Sequence, residues 1–190
     1  MRDETVAGNY AEALFELATR HEGLEVYGEG IERVARMLEE AGRFRLFLET
    51  PRIDAGAKKA VLRKAFSEAI PRPLLNFLLI TVDKRRQRLL RAIAREFHAL
   101  VDEHMNRVHV EVTVARPLDQ ETLDRVGTRL SEILGKTAIP HVRVKPEILG
   151  GAVYRTGDTI YDGSIRRRLD RMRRQLLQAE LPSGRAAGGA

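Results

Sequence analysis

The chain has 190 residues, 43% hydrophobic and 32% charged, enough for one ample domain or two small ones with a packed core. Cysteine is absent, which excludes disulfides and thiolate metal sites and suits a reducing compartment. The net charge is +6 and the pI about 10.0, yet bases interleave with acids and aromatics make up only 5%, so stacking platforms for nucleic acid are not expected.

The opening stretch, MRDETVAGNYAEALFELA, is acidic and amphipathic where a signal peptide would be basic and then uniformly apolar. The most apolar run, Leu74 to Val82, is far shorter than the ~20 residues of a membrane helix. The expectation is a cytosolic protein, or one that sits on a membrane assembly through other proteins. From Val6, apolar side chains recur at Tyr10, Ala13, Leu14 and Leu17 and again at Ala7, Ala11, Phe15 and Ala18. At helical spacing they cover roughly 200°, where a bundle helix needs little more than about 100°. Either this helix lies centrally in its bundle, or it offers a second face to an amphipathic partner helix.

Helical spacing continues through Ile31, Val34, Leu38 and Ala41, and through Val61, Leu62, Ala65 and Phe66, with Asp54 as a candidate cap. Pro71 and Pro73 open a short helix, LLNFLLITV, with little polar surface. A long amphipathic helix follows through Leu89, Ile93, Phe97, Leu100 and Val101. Residues 1–105 therefore read as a bundle of about six helices. The pattern changes at Val108, where HVEVTVA alternates as a half-buried strand. Asp119 can cap a helix with a Leu123, Val126, Leu130, Ile133 stripe that stops near Gly135. VRVKPEI, AVYR and Thr159 to Tyr161 read as three further strands, and a last helix begins near Gly163. Residues 106–180 thus form a small α/β domain after a hinge near Glu103 to Arg107. The tail LPSGRAAGGA, residues 181–190, is expected to be disordered.

The stretch EILGGAVYRTGDTIYDGSIRRRL superficially suggests a phosphate loop. Asp158 follows Gly157 where a Walker-type loop needs lysine, and Gly150-Gly151-Ala152 breaks the dinucleotide fingerprint. Architecture accounts for more residues. The Gly150-Gly151 pair makes a bend or bulge, Gly157 takes the left-handed position of a hairpin turn, and Asp162 or Ser164 caps the last helix. Ile165, Leu169, Met172 and Leu176 fall on one face of that helix, with six arginines between Arg166 and Arg174 off it. That basic face is either solvated or meets an acidic partner, headgroups or nucleic acid; a nucleic-acid-binding adaptor is the alternative function it suggests. The five histidines show no metal-ligand spacing, and no G-x-S-x-G elbow occurs. No catalytic, cofactor or metal site is expected.

NYAEALFELA, HVEVTVARPL and KPEILGGAVYRTGDTIYDGSI together resemble the delta subunit of bacterial F-type ATP synthase, whose mitochondrial counterpart is the oligomycin-sensitivity-conferring protein. The specific part is the C-terminal signature of Gly150, Gly151, Gly157, Asp158, Asp162, Ser164 and Ile165. The resemblance covers nearly the whole chain. It implies a mainly α protein, with an N-terminal six-helix bundle and a small C-terminal α/β domain. It also implies a non-catalytic role, in single copy, in the peripheral stalk at the cytoplasmic face of the cell membrane, with membrane association only through the complex. The bundle would bind the N-terminal helix of an alpha subunit through Tyr10, Ala13, Leu14, Leu17 and Phe77. The C-terminal domain would meet the b subunits, and no nucleic acid is implied.

Overall fold

The computed structural model describes residues 2–21 and 23–179, so the tail expected to be disordered lies outside the described residues. The chain divides into two compact units, Met1–Met105 and Asn106–Ala190. The first contains α1 (Arg2–Arg20), α2 (Leu24–Glu40), α3 (Gly42–Glu49), α4 (Ala55–Phe66), α5 (Arg72–Asp83), a 3₁₀ turn at Gln87–Leu89 and α6 (Leu90–His104). Local chemistry sets these boundaries. The Asp54 carboxylate accepts from the amides of Gly56 and Ala57 at 2.7 and 3.3 Å, pairing two of the orphan donors that open α4. Prolines stand at the start of α5, where a missing N–H costs nothing.

The bundle core is built from large side chains with no exposure, among them Tyr27, Phe97, Leu14, Ile31, Leu74 and Leu78. Each contributes on the order of 1.5–3 kcal/mol by leaving water. α5 is apolar on almost every side because seven of its residues, Leu74 to Val82 with two gaps, are buried. Its one buried hydroxyl, Thr81, donates back to the Leu78 carbonyl at 2.7 Å. A side chain on Gly30 would come within 2.5 Å of Leu74, so this glycine lets α5 settle against α2. Lys58 is also buried, and its ammonium donates to the Thr50 carbonyl at 2.8 Å.

The second unit runs β1 (Arg107–Val114), α7 (Gln120–Leu134), β2 (Thr137–Val144), β3 (Ala152–Thr156), β4 (Thr159–Asp162) and α8 (Ile165–Ala179). The sheet order is β2-β1-β3-β4. β1 and β2 are parallel, which requires a crossover, and α7 is that crossover. β3 pairs antiparallel with both β1 and β4. α7 is capped by Asp119, which accepts from the Thr122 amide at 2.8 Å, and it ends at Gly135. Its core is small and lies on one sheet face: Val110, Val112 and Val114 with Leu130 and Ala138.

The sequence places the second strand at VRVKPEI, but β2 begins at Thr137 and ends at Val144, and Pro146–Ile148 is a 3₁₀ turn. The signal is obscured by Pro140, which sits inside the strand opposite Val110. A proline is tolerated there because β2 is an edge strand, leaving one row of amides without ladder partners in any case.

Candidate functional site

Three rows of α1 divide its wide apolar arc. Ala7, Ala11, Leu14 and Ala18 form the central row and have no exposure. On one flank Phe15 meets two α6 rings, Phe97 and His104, with centroids 6.4 and 5.4 Å away. On the other flank Tyr10 meets Phe77 of α5 edge-on, at 6.1 Å and 71°. Most of the arc is therefore used inside the bundle, between α6 and α5. What remains at the surface is Ala13, which is exposed, with Tyr10 and Leu17 half-buried beside it.

Of the five residues expected to form a docking face, Tyr10 and Phe77 are brought together, and Ala13 and Leu17 lie along the same side of α1. Leu14 is the exception: it points into the core with no exposure, because it continues the Ala7, Ala11 row. Phe77 is itself mostly covered, at 8% exposure. Ile80, one turn further along α5, is 50% exposed and was not singled out from sequence. LLNFLLITV gives no contrast between inner and outer positions, so only its spacing of three from Phe77 could have pointed to it.

The glycine-rich signature forms a joint between β3 and α8. Gly151 has φ +73°, and a side chain there would strike the Gly163 carbonyl. The Gly163 amide donates to the Ala152 carbonyl and the Ile165 amide to that of Gly150, both at 3.0 Å. The Ile165 side chain seats directly over Gly150, where a Cβ would come within 2.6 Å of it. Gly157 (φ +53°) and Asp158 form the two-residue loop between the paired Thr156 and Thr159.

Asp162 and Ser164 act in series at the start of α8. The Ser164 amide donates to the Asp162 carboxylate at 2.9 Å, and the buried Ser164 hydroxyl oxygen accepts from the Arg167 amide at 3.2 Å. Hydrogen bonds from the Ser164 hydroxyl and amide, aided by the Arg167 charge, hold the Asp162 carboxyl below the ordinary aspartate value. Thr122 does the same for Asp119 through its hydroxyl and amide, with Arg125 nearby.

The C-terminal unit also carries an open groove of about 590 Å³ between α7 and the sheet. Val126, Leu130 and Ile133 line one side and Tyr154 and Tyr161 the other, with Arg125 and Arg129 as its charged members. On the opposite sheet face the parallel register brings His109 and His141 together, ring nitrogens 2.7 Å apart and rings stacked at 4.9 Å. Sequence spacing could not show this pair, because strand register creates it. Among the described residues no group of three or more His, Cys, Asp or Glu is placed to hold a metal ion.

The family model for the ATP synthase delta (OSCP) subunit matches residues 6–176. The chain belongs to this family. It is 44% identical over 176 residues to the ATP synthase subunit delta of Gemmatimonas aurantiaca, covering 93% of this chain and 95% of that one. It is 38% identical over 180 residues to the ATP synthase subunit delta of Symbiobacterium thermophilum, covering 95% and 97%. Among solved structures, a chain in the Toxoplasma gondii mitochondrial ATP synthase hexamer matches with a TM-score of 0.64 at 24% identity, over 90% of this chain and 97% of that one. At that identity the likeness speaks to the fold alone, and it spans both units. As a delta-family chain the protein carries the α1 and α5 surface, the glycine joint and most of α8 inside the matched range, since Tyr10 and Leu176 both fall within it. Among the described residues no helix is long and apolar enough to cross a membrane.

Proposed function

We propose that this chain is a non-catalytic stator subunit of a proton-translocating F-type ATP synthase. It links the catalytic headpiece to the b-subunit stalk at the cytoplasmic face of the cell membrane. The bundle grips the N-terminal helix of an alpha subunit, and the C-terminal unit meets the b subunits. One copy per complex reaches the membrane only through these partners. The observation that carries the reading is the residual apolar strip of Tyr10, Ala13 and Leu17 on α1, backed by the mostly covered Phe77, with the exposed Ile80 on α5, in a delta-family chain.

A stator holds against torque, so its work is affinity and stiffness. A specific contact covers about 800 Å² per partner. Two such contacts on one chain, reinforced by the other stalk attachments, raise the effective concentration of each partner for the other. Replacing Tyr10 or Ala13 by Asp puts a charge on this strip without entering the core row. The expected result is weaker binding of an alpha-subunit N-terminal peptide by calorimetry, on the order of tenfold or more, with an unchanged circular dichroism spectrum. Unchanged affinity in a folded variant would contradict the assignment. Leu14→Asp is not a suitable probe, because its charge would be buried.

A further inference from the structure

α8 leaves its joint with an apolar stripe that, beyond the seat of Ile165 over Gly150, the other described residues of its unit leave exposed. Ile165, Leu169, Met172 and Leu176 are 45%, 51%, 49% and 67% exposed, and every residue from 165 to 178 is exposed. Their spacing is four, three, four, the alternation of d and a positions in a heptad. This is the narrow seam of a two-stranded coil rather than the broader stripe of a helix seated on its own domain. In that frame Arg166 and Arg173 are e positions and Arg168 is a g position, all bordering the seam. The only carboxylate in the helix, Asp170, stands at b, away from it.

These flanks decide what can cover the seam. In a parallel pair of two copies, Arg168 of one helix would face Arg173 of the other, because g contacts the e position five residues on. In an antiparallel pair e faces e and g faces g, which again opposes arginine to arginine. A second copy of α8 is therefore repelled in either orientation. We infer that α8 is one strand of a heterotypic two-helix contact whose partner is an amphipathic helix with apolar a and d positions and Glu or Asp at e and g. The start of α8 is tied to its unit, with the Ile165 amide donating to the Gly150 carbonyl and the Ile165 side chain seated over Gly150, while Asp162 and Ser164 cap its first turn. Its 15 residues span only about 22 Å, two heptads, so the contact is weak alone and depends on the complex's other attachments. The inference deepens the stalk reading by assigning a surface and a charge pattern to the stalk-helix contact, and it rests on that reading for the partner's presence.

The test uses the full chain and three labelled synthetic heptad peptides, read by fluorescence anisotropy. One has a leucine seam with glutamate flanks, one the same seam with lysine flanks, and one glutamate flanks with a serine seam. The glutamate-flanked leucine peptide should bind about tenfold or more tighter than either of the others. Leu169→Asp should remove most of that binding with no change in helicity or melting. Reversing the flanks together (Arg166→Glu, Arg168→Glu, Arg173→Glu) should invert the preference toward the lysine-flanked peptide. Equal binding of the serine-seam peptide, a tighter grip on anionic phospholipid vesicles or a DNA oligonucleotide, or no binding at all would overturn the inference. The flank-reversed chain is also assembled with the remaining ATP synthase subunits. Retention of the b subunits at wild-type level sinks the α8 assignment while leaving the stalk reading intact. Peptide binding by a wild-type chain that captures no ATP synthase subunit sinks the stalk reading instead.

Discussion

The two units spend their apolar residues differently. Among the described residues the bundle buries twenty-four apolar side chains in one cluster, including Tyr27, Phe66 and Phe97, whereas the C-terminal unit buries five, none larger than leucine. The bundle's surplus is a strip along one flank of α1. The C-terminal unit leaves open a groove beside α7 and the whole seam of α8. A core that has absorbed most of its apolar surface can stand alone and offer a firm face. A unit that leaves so much uncovered is built to be completed by something else.

The largest effect expected from that contrast is in the cores. Phe97→Ala should destabilise the bundle by about 3–5 kcal/mol, whereas Leu130→Ala in the C-terminal unit should cost about 2 kcal/mol. Denaturant unfolding followed unit by unit checks it, and equal losses would remove the contrast. Next comes the joint. Gly151→Ala should destabilise the C-terminal unit by on the order of 1–3 kcal/mol and leave the bundle's transition in place, because the left-handed backbone and the Gly163 carbonyl both oppose a Cβ. A shift in the bundle transition instead would show that the units do not unfold separately.

Acid response is smaller and equally specific. The Asp162 and Asp119 carboxyls are held below the ordinary aspartate value, so each contributes stability that is present above that value and is lost as pH falls through the lower, folded one. The C-terminal unit should therefore lose stability below about pH 4. An Asp162→Asn, Asp119→Asn chain should show a flatter acid limb by circular dichroism, while an identical limb would mean that these caps do not sense pH.

The broad plan was legible in the sequence because each period was clear: helical spacing to Met105, then alternation from Val108. The mainly α fold followed from it, while the family was legible only in the resemblance of NYAEALFELA, HVEVTVARPL and KPEILGGAVYRTGDTIYDGSI. The Asp54 and Asp119 caps were legible too, since short acceptors before an apolar run have one efficient use. Features that depend on register or on packing depth were not legible. β2 hid behind Pro140, the His109 and His141 pair exists only through strand pairing, and Leu14 could not be told from its neighbours on α1 because a wide apolar arc does not say which row is central. The candidate docking strip was half legible: Tyr10, Ala13 and Leu17 came from the arc, but the exposure of Ile80 depends on packing that an all-apolar stretch does not reveal.

The claim that joins both units is that one chain ties the headpiece to the stalk. Affinity capture of the tagged full-length chain from detergent-solubilised membranes, with subunits quantified by mass spectrometry, tests it most directly. The account predicts that alpha and b subunits are both enriched with the wild-type chain, and that Tyr10→Asp reduces alpha while b is retained. Capture that enriches neither subunit, or a Tyr10→Asp chain that loses b and keeps alpha, would contradict it.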